Sequence, residues 1–271
     1  MGIITNENLF EFCRLYDWQT KLNLLESILL PERWNFINVN PSARNEKNPI
    51  LESYIKYTFK RICQIEDDQP DIVALSDDNN QACFNLGLFT KEYERVYFLM
   101  KKQTRAKDDK NWSFVGFEKE SSPALFSFKE LPPKVNFISK VEDLVFDINI
   151  PIRINSAHIL SNEDNVARLP LHLQSAPNLQ TIFEGAVQLA IKKVEANYKI
   201  AVPQYYDGKI QFLLPLSLSG DLEAVDVVMA ISKINGFYRG NTCLTLDMAY
   251  NNARLIAKPD TPWLLTATGE D

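Results

Sequence analysis

Apolar positions in the first third of the chain recur at helical spacing. Leu22, Leu25, Ile28 and Leu29 follow Asp17 at i, i+3, i+6 and i+7, predicting a helix that stops at Pro31, which cannot continue one. Asn48-Pro49 then offers a cap and a first-turn proline to a second helix. Its apolar face carries Leu51, Tyr54, Ile55, Thr58, Phe59 and Ile62, and its other face Lys56, Lys60 and Arg61. The acidic, turn-rich run 66–80 reads as a loop.

From Ala82 the period falls to two. The runs 83–88 and 93–99 predict an antiparallel hairpin, and 112–117 the next strand. Further short strands fit 143–150, 209–218, 224–234 and 242–246. One long amphipathic helix fits 178–196, with Leu179, Ile182, Phe183, Ala186, Ala190 and Val194 on a single stripe. Strands and helices are segregated and do not alternate as βαβ units, so the expected class is α+β with mostly antiparallel sheet. The wide apolar stripes of the first helices need cover. Residues 1–66 are therefore expected to pack on a β-rich body, 82–264, within a single globular domain.

Composition narrows the function classes. At 271 residues, 45% hydrophobic and 24% charged, the chain can bury a sizeable core, and it has no apolar run approaching the ~18 residues of a membrane span. A balance of 29 basic against 35 acidic residues gives a net charge of −6, the wrong sign for coating nucleic acid non-specifically. Any site for a polyanion must be local. The four cysteines, Cys13, Cys63, Cys83 and Cys243, form no CxxC pair, and the first residues show neither a basic nor a hydrophobic leader pattern. Reduced thiols in a cytoplasmic protein are expected. The nine glycines form neither GxGxxG nor GxxxxGK[ST], and GxSxG and HExxH are absent too.

Two segments concentrate chemistry. The C-terminal block 238–254 holds Tyr238, Arg239, Asp247, Tyr250, Asn251, Asn252 and Arg254. Its amides and guanidinium forks suit base edges and phosphate oxygens, and its tyrosines offer stacking faces. The competing reading makes Asp247 a helix cap and the asparagines turn formers. The hairpin 93–117 places Lys101, Lys102 and Arg105 between aromatic-bearing strands with Tyr97, Trp112 and Phe114, a composition used for stacking and backbone tracking of single strands. About half of those aromatics must face a core. Of the two histidines, His158 lies near Arg168 in sequence and is the better acid–base candidate, while His172 sits between leucines. Asp221, Glu223, Asp226 and Asp247 lie near strand ends, but Asp221 and Glu223 belong to a Gly-Asp turn where solvated charge is the default, so no metal site is expected. No cofactor is expected either.

The run from Gly240 to Ile256, with Lys258-Pro259-Asp260 and Trp263-Leu264, resembles the closing signature of a family of uncharacterised, mainly bacterial domains, domain of unknown function three-eight-two-five. Tyr54 to Phe59, Asn85-Leu86-Gly87-Leu88, His158-Ile159-Leu160 with Asn162, and Arg168-Leu169-Pro170 match upstream, so the resemblance covers roughly 15 to 264. Members stand alone or joined to small modules thought to bind RNA, and the resemblance thereby implies recognition of RNA or a nucleotide. Asn85 joins the candidate binding residues on this ground. The expected function is an RNA- or nucleotide-recognising module with no membrane partner. The alternative is a hydrolase of phosphodiester or pyrophosphate bonds, with His158 or Asp247 as acid–base and Arg168, Arg239 and Arg254 clamping phosphate.

Overall fold

A computed structural model describes residues 3–37, 47–103 and 110–265. The chain divides into two compact units, residues 1–136 and 137–271, each built on a five-stranded sheet. The class is α+β with mostly antiparallel pairing, as the residue pattern predicts. No helix among the described residues is long and apolar enough to cross a membrane.

In the first unit, α1 (Leu9–Phe12), α2 (Trp18–Ile28) and α3 (Pro49–Ile65) accompany strands β1 (Cys13–Arg14), β2 (Val73–Leu75), β3 (Gln81–Phe89), β4 (Arg95–Lys102) and β5 (Trp112–Lys119). The strand order is β1-β5-β4-β3-β2, antiparallel except for the short β1–β5 edge. Pro49 occupies the first turn of α3, and Asn48 precedes it in the left-handed conformation without a side-chain cap. The stripe of α3 reaches the sheet: the Tyr54 hydroxyl donates to the Leu86 carbonyl at 2.8 Å, and the Phe59 and Phe84 rings lie 5.8 Å apart. On the other sheet face Cys83, Tyr97 and Leu99 pack with Leu125 and Phe128.

The second unit contains β6 (Ile152–Arg153), α4 (Ser156–Leu160), α5 (Glu163–Ala167), α6 (Leu179–Ala196), β7 (Val202–Tyr206), β8 (Lys209–Leu216), β9 (Val227–Ile234), β10 (Phe237–Leu244), α7 (Leu246–Arg254) and α8 (Pro262–Leu265). Its strand order is β6-β10-β9-β8-β7. The stripe of α6 (Phe183, Ala186, Val187, Ala190 and Val194) packs on Phe212, Leu214, Leu216, Val227, Met229 and Ile231, which define the inner face of the sheet. Two tight turns, Asp207-Gly208 and Asn235-Gly236, have positive φ at both residues, the type I′ geometry that matches strand twist.

Two expected strands differ. Residues 143–150 are not a strand: Val141–Leu144 is a 3₁₀ turn, and Asp147 folds its carboxylate onto the Asn149 backbone and side-chain N–H groups, both at 3.0 Å. The strand expected at 242–246 begins earlier, at Phe237, and Leu246 already opens α7, capped by the Thr245 hydroxyl.

Candidate functional site

The C-terminal block splits between a strand and a helix. On β10, alternation sends Tyr238 inward, where it stacks on Phe146 at 4.6 Å and its hydroxyl accepts the Asp147 N–H at 3.1 Å. Tyr238 is thus a core residue, and burial raises its phenol pKa. Arg239, next along, points outward and is exposed. On α7, Asp247, Tyr250, Asn251 and Arg254 recur at i, i+3, i+4 and i+7 and share one helix face. Asp247 and Arg254 are each 6% exposed and Tyr250 1%, so this face offers almost no surface to a polymer. The Asn251 Oδ1 is buried without a hydrogen-bond partner among the described residues.

Several expected binding residues hold the fold together. The Arg168 Nη1 donates to the Cys243 carbonyl at 2.7 Å and the Thr242 hydroxyl at 3.2 Å, beside buried Asn165, which accepts from Thr242 Oγ1 and the Cys243 N–H. This network ties α5 to the end of β10. Asn85 is buried in β3, where its Oδ1 accepts the Gly87 N–H at 2.8 Å and its Nδ2 donates to the Pro132 carbonyl at 3.3 Å. It shapes a bulge in which Gly87 has φ +67°. In the basic–aromatic hairpin, Tyr97, Trp112 and Phe114 are buried, and Phe98, Phe114 and Phe117 cluster with Trp18. Lys101 and Lys102 are exposed at the end of β4, and Arg105 lies outside the described residues.

The catalytic candidates are not brought together. His158 is exposed on α4, whose Ile159 packs on the inner sheet face with α6. Asp247 belongs to α7, which is bonded to the opposite face through Asn252 Nδ2 and Gln204 Oε1 at 3.1 Å. Asp226 closes a loop by accepting from the Leu218 and Ser219 N–H groups. Burial pushes all four cysteine thiols up to about 12, which leaves no thiolate nucleophile near neutral pH.

The outer face of the second sheet carries an arrangement that residue types alone do not reveal. Register places Gln204 of β7 opposite Gln211 of β8, Ser232 of β9 opposite Arg239 of β10, and Arg239 beside Arg153 of β6. A side-chain bond from Gln211 Nε2 to Ser232 Oγ, 3.0 Å, completes the row Gln204, Gln211, Ser232, Arg239, Arg153 across all five strands, about 19 Å at usual strand spacing. Toward the type I′ turns, the next positions on the same face are Tyr206 and Lys209, paired with each other, and Ile234 and Phe237, also paired. Tyr206 is 55% exposed, Lys209 is exposed, and Arg153 stacks its guanidinium over the Phe237 ring at 4.7 Å. Neither Arg153 nor Arg239 has a carboxylate partner among the described residues. Of this surface the sequence flagged Arg239. The dipeptides Asp207-Gly208 and Asn235-Gly236 were the signals that could have set the register and exposed the rest.

A cleft of about 820 Å³, lined by Lys193, Lys199, Glu223, Asp260 and Trp263 among others, lies elsewhere in the second unit and contains none of the expected site residues.

No curated protein and no solved structure matches the chain. A family model does, over residues 25–263, nearly the full length. The chain belongs to the family described as Domain of unknown function (DUF3825).

Proposed function

We propose that the protein recognises single-stranded RNA or a nucleotide on the outer face of its second sheet. The observation that carries this reading is the Arg153–Arg239 pair: two exposed arginines, neighbours in register, with no carboxylate among the described residues to neutralise them. Like charges directly opposite one another destabilise a sheet, and a bound anion removes that penalty. Phe237 and Tyr206 on the same face give bases a surface for stacking, and Lys209 adds a third cation. The patch is local, which is compatible with a chain of net charge −6.

The test is binding of a fluorescein-labelled single-stranded ten-nucleotide RNA, with adenosine monophosphate as the small-ligand arm. Arg153→Glu with Arg239→Glu should weaken binding at least tenfold and flatten its salt dependence by roughly two phosphate contacts. The melting temperature should hardly move, because both side chains are exposed. Wild-type affinity in the double variant rejects this surface.

A further inference from the structure

Resting on that reading, we infer that Ser232 is a hydroxyl donor to phosphate, held in that role by a polarised amide relay that begins at Asn252 on α7. The relay runs in one direction. Asn252 Nδ2 donates to Gln204 Oε1 at 3.1 Å, Gln204 Nε2 to Gln211 Oε1 at 2.8 Å, and Gln211 Nε2 to Ser232 Oγ at 3.0 Å. From the other side Asn241 Nδ2 donates to the same Ser232 oxygen at 2.6 Å. A serine hydroxyl has two acceptor lone pairs and one proton. Both lone pairs of Ser232 are taken, so the hydroxyl can act only as a donor, and its proton has no acceptor among the described residues.

The position of that proton matters. Ser232 is the cross-strand partner of Arg239, which is in turn the neighbour of Arg153. One hydroxyl and two guanidinium groups in adjacent positions form a donor-only seat, matched to an oxyanion with several acceptor oxygens and mismatched to a base N–H or a cation. A phosphate fits. It can come from the backbone of RNA or from a free nucleotide, and the chemistry at the seat is the same.

Asn252 is consequently a positioning residue, acting on the seat from the far side of two glutamines. Asn252→Asp replaces its donor by a group that only accepts. Gln204 must then turn its Nε2 toward the carboxylate and Gln211 must turn likewise, so that Gln211 Oε1 draws the Ser232 proton away from the ligand. The experiment measures affinity of the full chain for the labelled ten-nucleotide RNA, for wild type, Ser232→Ala, Asn252→Asp and the double variant. Ser232→Ala and Asn252→Asp should each weaken binding by about tenfold. The double variant should be no weaker than Ser232→Ala alone, since the relay acts solely through that hydroxyl.

If Asn252→Asp weakens binding further in the Ser232→Ala background, its effect is plain charge repulsion and the relay is refuted. Should Asn252→Asp fail to fold, Gln204→Leu cuts the relay at a buried position without adding charge. It should weaken binding by about threefold or more, and unchanged affinity overturns the inference. If the arginine variants lose binding while Ser232→Ala and Asn252→Asp retain it, the relay fails and the sheet surface stands. If the arginine variants bind as wild type, the surface reading itself falls. Competition by adenosine monophosphate assigns the seat to a nucleotide phosphate, whereas RNA binding without such competition assigns it to a backbone phosphodiester.

Discussion

The Arg168 guanidinium donates to the Cys243 carbonyl at 2.7 Å, joining the residue after α5 to the penultimate residue of β10. A charged donor held between a carbonyl, a hydroxyl and an amide is a structural tie. Removing it strips the charged donor from the Cys243 carbonyl and the Thr242 hydroxyl. Arg168→Ala should destabilise the protein by about 2–3 kcal/mol in denaturant unfolding. RNA affinity per folded molecule should not change. A loss of affinity with no loss of stability would return Arg168 to the binding surface.

Gly240 lies on the inner side of β10, where an added Cβ would sit 2.6 Å from Ile154 Cδ1. Gly240→Ala should therefore cost about 1–3 kcal/mol through overpacking. Ile154→Val deletes the offending carbon, so the pair Gly240→Ala with Ile154→Val should regain most of that loss. Thermal unfolding of the four variants checks it, and simple additivity would show that the clash is relieved elsewhere.

Tyr238 offers a cleaner separation of core from site. Tyr238→Phe keeps the stack on Phe146 and loses the bond from the Asp147 N–H. It should lower stability by about 1 kcal/mol and leave RNA affinity untouched. Phe237→Ala, on the opposite side of the same strand, should do the reverse, weakening RNA binding with little change in melting temperature.

The cysteine thiols carry a pH signature. Burial raises each from its ordinary 9 to about 12 in the folded state, so folding favours the protonated thiols. That contribution is complete below pH 9 and is lost as the pH rises from 9 toward 12. Stability should decline across this window. At about pH 8 a thiol-specific disulfide reagent should react slowly with the native protein, with Cys63, the one cysteine that is not fully buried, reacting first. Prompt labelling of all four would contradict the burial.

Residues 1–66 should not fold alone. The Tyr54 hydroxyl and the Phe59 ring find their partners on β3, at the Leu86 carbonyl and the Phe84 ring. Circular dichroism of fragment 1–66 should show weak, non-cooperative helicity, whereas residues 1–136, which include the covering sheet, should melt cooperatively. A cooperative transition in the shorter fragment would contradict this.

The sequence is most legible where a single local rule decides the outcome. Asn48-Pro49 opens α3, and the stripe from Leu179 to Val194 gives α6 almost to the residue. It is least legible where the outcome depends on register. Tyr238 and Arg239 look equally suited to a ligand, yet alternation sends one into the core and the other to solvent. Asn85 and Arg168 have the chemistry of a binding site, but the same donors and acceptors serve a bulge and a strand end. Arg153, Gln204, Gln211 and Ser232 carry no motif, and they align only because two turns fix how their strands pair. Asp247, Tyr250, Asn251 and Arg254 do share a helix face, as their spacing requires, but that face is buried.

The two-residue turns Asp207-Gly208 and Asn235-Gly236 have a kinetic consequence. Both end their hairpins abruptly at the same rim of the sheet, and a two-residue turn is too short to fold back over the strands it joins. The hairpins thus form an open shelf with no flap of their own. If the shelf is the binding surface proposed above, a ligand arriving there meets preformed strands and waits for no closing motion, so association should proceed at a rate set by diffusion and charge steering. Discrimination then rests on how fast each ligand leaves. The same rim is also where an inserted segment would overhang the shelf while leaving the strand register intact, making these turns the natural positions for grafting a lid.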